Sequence, residues 1–204
     1  MTTALYGGSF NPIHLGHLAL GRWLIDHHHA DELWFLVSPQ NPLKPLAGLL
    51  PDSARLHLAH LAVEEATATC NTPAALRVSD FEFRLPRPSF MVHTLEALRA
   101  AYPGREFQLV IGADNWQRFP QWHRADEILR HHRLIIFPRP GYHIDPTDIP
   151  QGIILADAPL YDLSSTQIRN AIAHQKDYRG EGLPASVWQE IATKGYYRPA
   201  SPEC

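Results

Sequence analysis

Short apolar runs alternate along this chain with longer stretches in which apolar positions recur every three or four residues. The short runs predict strands at Thr3–Tyr6, Leu33–Val37, Leu76–Val78, Phe107–Ile111 and Leu134–Phe137. The longer stretches predict helices over His14–His27, Ser53–Glu65, Ser89–Tyr102, Arg124–His131, Ser165–His174 and Ala185–Thr193. This alternation predicts an α/β fold, a Rossmann-like doubly wound parallel sheet of about five to six strands covered on both faces. Pro138-Arg139-Pro140-Gly141 opens a proline-rich stretch, to about Gly152, that reads as a loop. Gly180–Tyr197 reads as a small C-terminal helical extension packed through Val187, Trp188 and Ile191, and Pro199–Cys204 as a loose tail. No internal repeat or low-complexity tract interrupts the pattern, and the 204 residues are expected to form a single domain.

Ligands of such sheets sit beyond the carboxyl ends of the strands, near the point where strand order reverses. Three segments that follow predicted strands should therefore converge: Gly7–His17, Ser38–Pro45 and Gly112–Trp122. The first carries Gly7-Gly8-Ser9-Phe10-Asn11-Pro12, then His14-Leu15-Gly16-His17. The glycines allow a tight turn and close approach to a ligand. The N–H groups that open the next helix lack intrahelical partners and favour an anion. His14 and His17, three apart, can point the same way. This constellation suits the α-phosphate of a triphosphate. The dinucleotide fingerprint does not fit, because its third glycine is missing, and no Gly-Lys-Ser/Thr follows as in a Walker loop.

A second signal is Ser164-Ser165-Thr166-Gln167-Ile168-Arg169. Ser164 or Ser165 is a natural helix cap, and Arg169 lies about one turn further on. Hydroxyls, helix amides and a guanidinium together make a polyphosphate cradle. After the fourth strand, Gly112 and Asp114 suit a nucleoside, with Asp114 accepting from a ribose hydroxyl or base amine, or else capping a helix. Trp122 is either core or a stacking plate for a flat heterocycle. Lys44, in the stiff segment Asn41–Pro45, is either a mobile cation at the site or a solvated loop residue.

A formal net charge of −3 gives no electrostatic footprint for nucleic acid. No apolar run is long enough to span a membrane, and the expectation is no signal peptide ahead of the first strand. The two cysteines, Cys70 and Cys204, suggest neither a disulfide framework nor a zinc site, so a reducing cytoplasm is expected. Among the thirteen histidines, His27-His28-His29 and His131-His132 close predicted helices, where they favour the dipole and can hydrogen-bond the last carbonyls. No metal-binding cluster is expected of them.

The His-x-Gly-His signature, followed about 150 residues later by Ser-Ser-Thr-x-x-Arg, resembles the nucleotidyltransferase superfamily. Further matches narrow the resemblance to the bacterial nicotinate-nucleotide adenylyltransferases. They are Ile111-Gly112-x-Asp114, Phe119-Pro120-x-Trp122, Arg139-Pro140-Gly141-Tyr142, and Leu183-Pro184 with a helix ending near Gly195-Tyr196-Tyr197. The resemblance covers nearly the whole chain. It implies ATP and nicotinate mononucleotide as substrates, magnesium as the ion, and deamido-NAD and pyrophosphate as products. It assigns His14, His17, Lys44 and Arg169 to the chemistry. It assigns Gly7, Gly8, Ser9, Phe10, Gly112, Asp114, Ser164, Ser165 and Thr166 to ATP, and Asn11, Lys44, Met91, Val92, Trp122 and His123 to the acceptor.

Two departures stand out. The family's Pro-Ser-Tyr-Thr is Pro88-Ser89-Phe90-Met91 here, so no threonine hydroxyl reaches the pyridine carboxylate. Recognition must then rest on backbone N–H groups around Val92 and His123, or on His123 itself. Lys44 stands where relatives also carry histidine. Other readings are a sister transferase acting on nicotinamide mononucleotide or phosphopantetheine, a silent nucleotide-binding regulator, and a metal-dependent hydrolase. Self-association is left open.

Overall fold

Parallel strands need a crossover between neighbours, and this chain supplies a helix for all but the last. The structure, a computed structural model, describes residues 1–40, 48–68, 75–174 and 181–198. Its strands are β1 Thr2–Gly8, β2 Glu32–Val37, β3 Leu76–Ser79, β4 Glu106–Gly112, β5 Arg133–Phe137 and β6 Ile153–Leu155. Its helices are α1 Leu15–Asp26, α2 Asp52–Ala68, α3 Met91–Ala101, α4 Ala113–Trp116, α5 Ala125–His131, α6 Ser165–Ala173 and α7 Ala185–Lys194. The sheet has the order β3-β2-β1-β4-β5-β6, all parallel. The order reverses between β1 and β4, so their carboxyl ends open the crevice where a ligand binds.

Alternation along the strands sorts the core into two layers. On one face Ala4, Tyr6, Phe35, Val110 and Phe137 pack with Leu24 of α1, Leu58 of α2, Ile168 of α6 and Ile191 of α7. On the other Leu5, Trp34, Leu109 and Ile136 pack with Leu95 and Leu98 of α3 and Ile128 of α5. Each strand between β1 and β5 is thus apolar on both sides, the pattern of a sheet buried on both faces. At the opposite end from the crevice, buried Glu32 accepts from Thr3 Oγ1 at 2.8 Å and pairs with Arg77 and Arg105.

The differences from the sequence reading are local. The sixth strand, Ile153–Leu155, follows the expected proline-rich loop; three residues are too short a run to show a period. His14 caps α1 instead of lying in it, and His27 follows its end. His27 Nδ1 meets the carbonyl of Trp23 at 2.9 Å, and its ring stacks on the Trp23 indole. The tight turn expected at Gly7 and Gly8 comes later: both glycines lie in β1, and Phe10 carries the positive φ, +44°. That conformation is costly for a residue with a Cβ and persists where the surroundings dictate it. Here the Phe10 ring is buried between Tyr6, His17 and Phe35.

The C-terminal extension belongs to this core through Val187 and Ile191. Glu65 of α2 accepts from the N–H groups of Ala185 and Ser186 at the start of α7, at 3.0 and 2.7 Å. The Leu15 N–H opening α1 donates to Gly182.

Arg55 of α2 is the largest side chain with no solvent exposure. It donates to the carbonyls of Ser9 (2.6 Å), Ser38 (2.8 Å), Leu50 (3.0 Å) and Pro39 (3.4 Å), and to Asp52 (2.7 Å). Burial works against its charge, and the Asp52 carboxylate works for it. Its removal strands several buried carbonyls at once. Arg55→Ala should therefore lose about 3 kcal/mol or more, since each stranded acceptor costs roughly 1–3 kcal/mol. Urea unfolding of both proteins measures the difference; a loss below about 1 kcal/mol would mean water satisfies those carbonyls.

Candidate active site

The carboxyl ends of β1 and β4 open into a cavity of about 440 Å³. Its wall includes Gly7–Asn11, His14, His17, Gly112, Asp114, Met91, Trp122, His123 and Ser164–Thr166 with Arg169. Two of the three segments expected to meet do so, and Ser38 of the third also lines the wall. Lys44 lies outside the described residues. Val92 does not line the cavity: its side chain is 4% exposed and packs in the α3 core layer. What it can offer a ligand is the N–H of a first helical turn.

The two histidines are arranged in detail. Their rings stack with centroids 3.6 Å apart. His17 Nδ1 accepts from the backbone N–H of His14 at 3.1 Å. A backbone N–H can only donate, so the neutral His17 ring carries its proton on Nε2 and is a donor there. His14 is 3% exposed, and its Nδ1 is buried with no hydrogen-bond partner. Burial, seconded by the positive charge of Arg139, pushes the His14 pKa down to about 3. The pair is thus two neutral imidazoles beside a glycine loop.

The glycines lie close under neighbouring side chains. A Cβ on Gly7 would come within 2.9 Å of the Met91 methyl, and one on Gly8 within 3.0 Å of the Phe10 ring. Met91 therefore folds its thioether over the end of β1. A Cβ on Gly112 would lie 2.4 Å from Asp114 Oδ1. Gly112 is itself the N-cap of α4, so Asp114 is not a cap; its carboxylate faces Arg139 at 3.6 Å.

The helix start at Ser164 is a capped one, with Ser164 Oγ accepting from Gln167 N at 3.2 Å. Ser165 Oγ donates to the Pro12 carbonyl at 2.9 Å. Arg169 donates to the Asn11 carbonyl at 2.8 Å and to Thr166 Oγ1 at 3.2 Å. The second signature motif thus grips the first. Asn11 is engaged as well: its Nδ2 donates to Gly48 O, and its Oδ1 accepts from Leu50 N. Trp122 is half-buried, tilted against Phe119, and its Nε1 has no partner. Exposed His123 lies 4.7 Å from the Phe90 ring.

Sequence reasoning passed over three residues at this site. Glu82 sits on a 3-10 turn, Phe81–Arg84, 2% exposed and on the cavity wall. Its Oε1 accepts from Thr94 at 2.9 Å. Burial pushes its carboxyl above the usual range, against the hydroxyls of Ser38, Thr94 and Ser89. An acid between two phenylalanines was the available signal. Arg139, opposite Asp114, had only its place in a motif, and Tyr197 reaches the site from beyond α7.

Residues 5–171 match the Cytidylyltransferase-like family. A Bacteroides thetaiotaomicron protein named "Probable nicotinate-nucleotide adenylyltransferase" is 46% identical over 191 residues, covering 94% of this chain and 91% of that protein. A Porphyromonas gingivalis protein of the same name is 40% identical over 204 residues, all of both chains. This chain belongs to the nicotinate-nucleotide adenylyltransferase family. In fold it is similar to a Plasmodium falciparum nicotinic acid mononucleotide adenylyltransferase complexed with NaAD. The TM-score is 0.79 at 17% identity, over 96% of this chain and 97% of that one. The cavity sits where the doubly wound topology puts a ligand crevice, at the β1/β4 reversal.

The depressed His14 pKa has a consequence for stability. Between about pH 3 and 6.5 the unfolded chain binds a proton that the folded chain refuses. The contribution is complete above pH 6.5 and is lost as pH falls towards 3. The slope approaches about 1.4 kcal/mol per pH unit in that window. His14→Gln should flatten the fall in urea midpoint between pH 6.5 and 5. An unchanged profile would mean that His14 titrates normally.

Proposed function

We propose that this chain transfers the adenylyl group of ATP to the phosphate of nicotinate mononucleotide, giving deamido-NAD and pyrophosphate, in the cytoplasm. The observation that carries the reading is the stacked His14–His17 pair, with an unpartnered buried nitrogen, at the mouth of a glycine loop. Imidazole N–H groups of such a pair are suited to phosphate oxygens.

The nucleophile, a phosphate oxygen of the mononucleotide, is ionised at neutral pH, so no general base is needed. Its bond to the α-phosphorus forms as the bond to the β-phosphate bridging oxygen breaks. The protein's task is alignment and charge neutralisation along that line. His17 Nε2–H and the His14 ring address the α-phosphate. Ser164, Ser165, Thr166 and Arg169 address the β- and γ-phosphates. Ser9, Phe10, Gly112 and Asp114 surround the nucleoside side, and Trp122 stacks on the pyridine. Lys44 neutralises the incoming phosphate.

Among the described residues no three His, Cys, Asp or Glu side chains gather as a metal cage. Hydroxyls, imidazoles and a guanidinium suit a magnesium ion that arrives on the triphosphate and keeps its waters, with Ser165 and Thr166 accepting from those waters. When bound, the ion supplies positive charge to the departing pyrophosphate.

His17→Ala tests the assignment. A transition-state donor of this kind is worth about 2.7–4 kcal/mol, so kcat should fall by roughly 10²–10³-fold. The circular dichroism spectrum should be unchanged. The assay is magnesium-dependent pyrophosphate release with ATP and nicotinate mononucleotide. Near-normal turnover in a folded variant removes His17 from the chemistry.

Selectivity is the finer part of the reading. A carboxylate on the pyridine gains from the N–H donors near Val92 and His123, while an amide presents its own N–H groups to them. Met91 adds no donor and is turned towards Gly7. Acid should still be preferred over amide in kcat/KM, and Met91→Thr should widen the gap. A preference for nicotinamide mononucleotide in the natural chain would change the acceptor and leave adenylyl transfer standing. Turnover with phosphopantetheine instead would do the same.

A further inference from the structure

Asn11 sits where three distant parts of the chain meet. Its backbone carbonyl holds Arg169. Its side chain bridges to Gly48 and Leu50, and also to Tyr197 beyond α7, whose hydroxyl lies 2.8 Å from Asn11 Oδ1. The backbone partners settle the carboxamide's orientation. Gly48 O can only accept, so Nδ2 faces it; Leu50 N can only donate, so Oδ1 faces it. Tyr197 must then be the donor. Burial pushes its phenol far above the usual range, so the hydroxyl keeps its proton at any working pH.

Two features show that the fold goes to some length to place this hydroxyl. Tyr197 has φ +63°, a left-handed conformation that a tyrosine adopts only when its surroundings hold it there. It follows Gly195, at φ +68°, which ends α7 and turns the chain back towards α2. The ring also packs against the core of the α1/α2 face, with Tyr196 beside it. The electrostatic neighbours of the phenol are Arg169 and Arg55, the two guanidiniums that hold the carbonyls of Asn11 and Ser9.

We propose that Tyr197 is a positioning residue of the triphosphate side of the site: by fixing the Asn11 carboxamide it fixes the Asn11 carbonyl, and with it the aim of Arg169. The inference rests on the reaction proposed above for its kinetic readout and on ATP binding for its thermodynamic one. It gives the C-terminal extension a part in the site as well as in the core.

Tyr197→Phe keeps the ring and removes the donor. Loss of one neutral hydrogen bond sets the scale at about fivefold. kcat/KM for ATP should fall, and the calorimetric Kd for ATP rise, by about that factor. The Kd for nicotinate mononucleotide should stay within about twofold, because the Asn11 carboxamide, expected from the sequence to meet the acceptor, is engaged by Gly48, Leu50 and Tyr197 instead. Tyr196→Phe, whose hydroxyl is not on Asn11, should match the parent protein. Added to Asn11→Ala, Tyr197→Phe should cost nothing more, because it acts through the group already removed. A purely structural tyrosine would lower the melting temperature and leave the ATP Kd alone. An ATP Kd indistinguishable from the parent's, an equal loss for both ligands, or losses that multiply in the double variant overturns the proposal. If the parent protein releases no pyrophosphate with any acceptor, the functional reading falls and the ATP Kd comparison still decides the role of Tyr197. If the parent protein binds no ATP, both fall.

Discussion

The site depends on a loop that cannot hold itself. Between β1 and α1, Ser9–Pro12 makes neither helix nor strand, and its carbonyls are held from outside. Arg55 takes Ser9, Arg169 takes Asn11 and Ser165 takes Pro12. A peptide unit is planar, with its N–H opposite its carbonyl. Gripping the carbonyls of Ser9 and Pro12 therefore turns the N–H groups of Phe10 and Ile13 away from the clamps. Three of the loop's carbonyls, those of Ser9, Asn11 and Pro12, are held by side chains from other elements. The proposed anion site is built by controlling which side of the backbone those clamps engage.

The same logic runs through the side chains. His17 accepts the His14 N–H at Nδ1, which puts its own ring proton on Nε2. His14 is kept neutral by burial and by Arg139, so it neither repels nor competes with the guanidiniums nearby. Asp114, the one carboxylate that α4 brings to the wall, faces Arg139 and is held beside a glycine that leaves it room. The reaction proposed above asks for little beyond donors held in place.

Much of this was legible in the sequence because it is local. The alternation of strand and helix patterns pointed to a doubly wound parallel sheet covered on both faces, which the structure has. The two signature motifs were visible because each is a strand end or helix start with its own capping chemistry. What escaped was long-range. Nothing in the spacing of Arg55 says that its guanidinium will gather four carbonyls, or that Ser165 and Arg169 will grip the first motif as well as line the cavity. The left-handed turn at Phe10 has no local signal, because its cause is the aromatic cage of Tyr6, His17 and Phe35, brought together only in the fold. The expectation at Val92 concerned its backbone N–H; a helix turns successive side chains by about 100°, so its neighbour Met91 faces the cavity while the Val92 side chain faces the core.

The sequence separations of the clamps also set an order of events. Arg55 closes on Ser9 across 46 residues, whereas Ser165 and Arg169 reach Pro12 and Asn11 across 153 and 158. Contacts so remote in the chain carry the largest loop-closure entropy and form late on the folding pathway. They also belong to the short, partly exposed helix α6 at its polar start, which opens more readily than the sheet. Release of these contacts alone would leave the strands paired and the loop slack. Such a molecule would keep nearly native secondary structure and, on the reading proposed above, lose its activity. Mild warming or denaturant should silence the enzyme before its dichroism reports any unfolding.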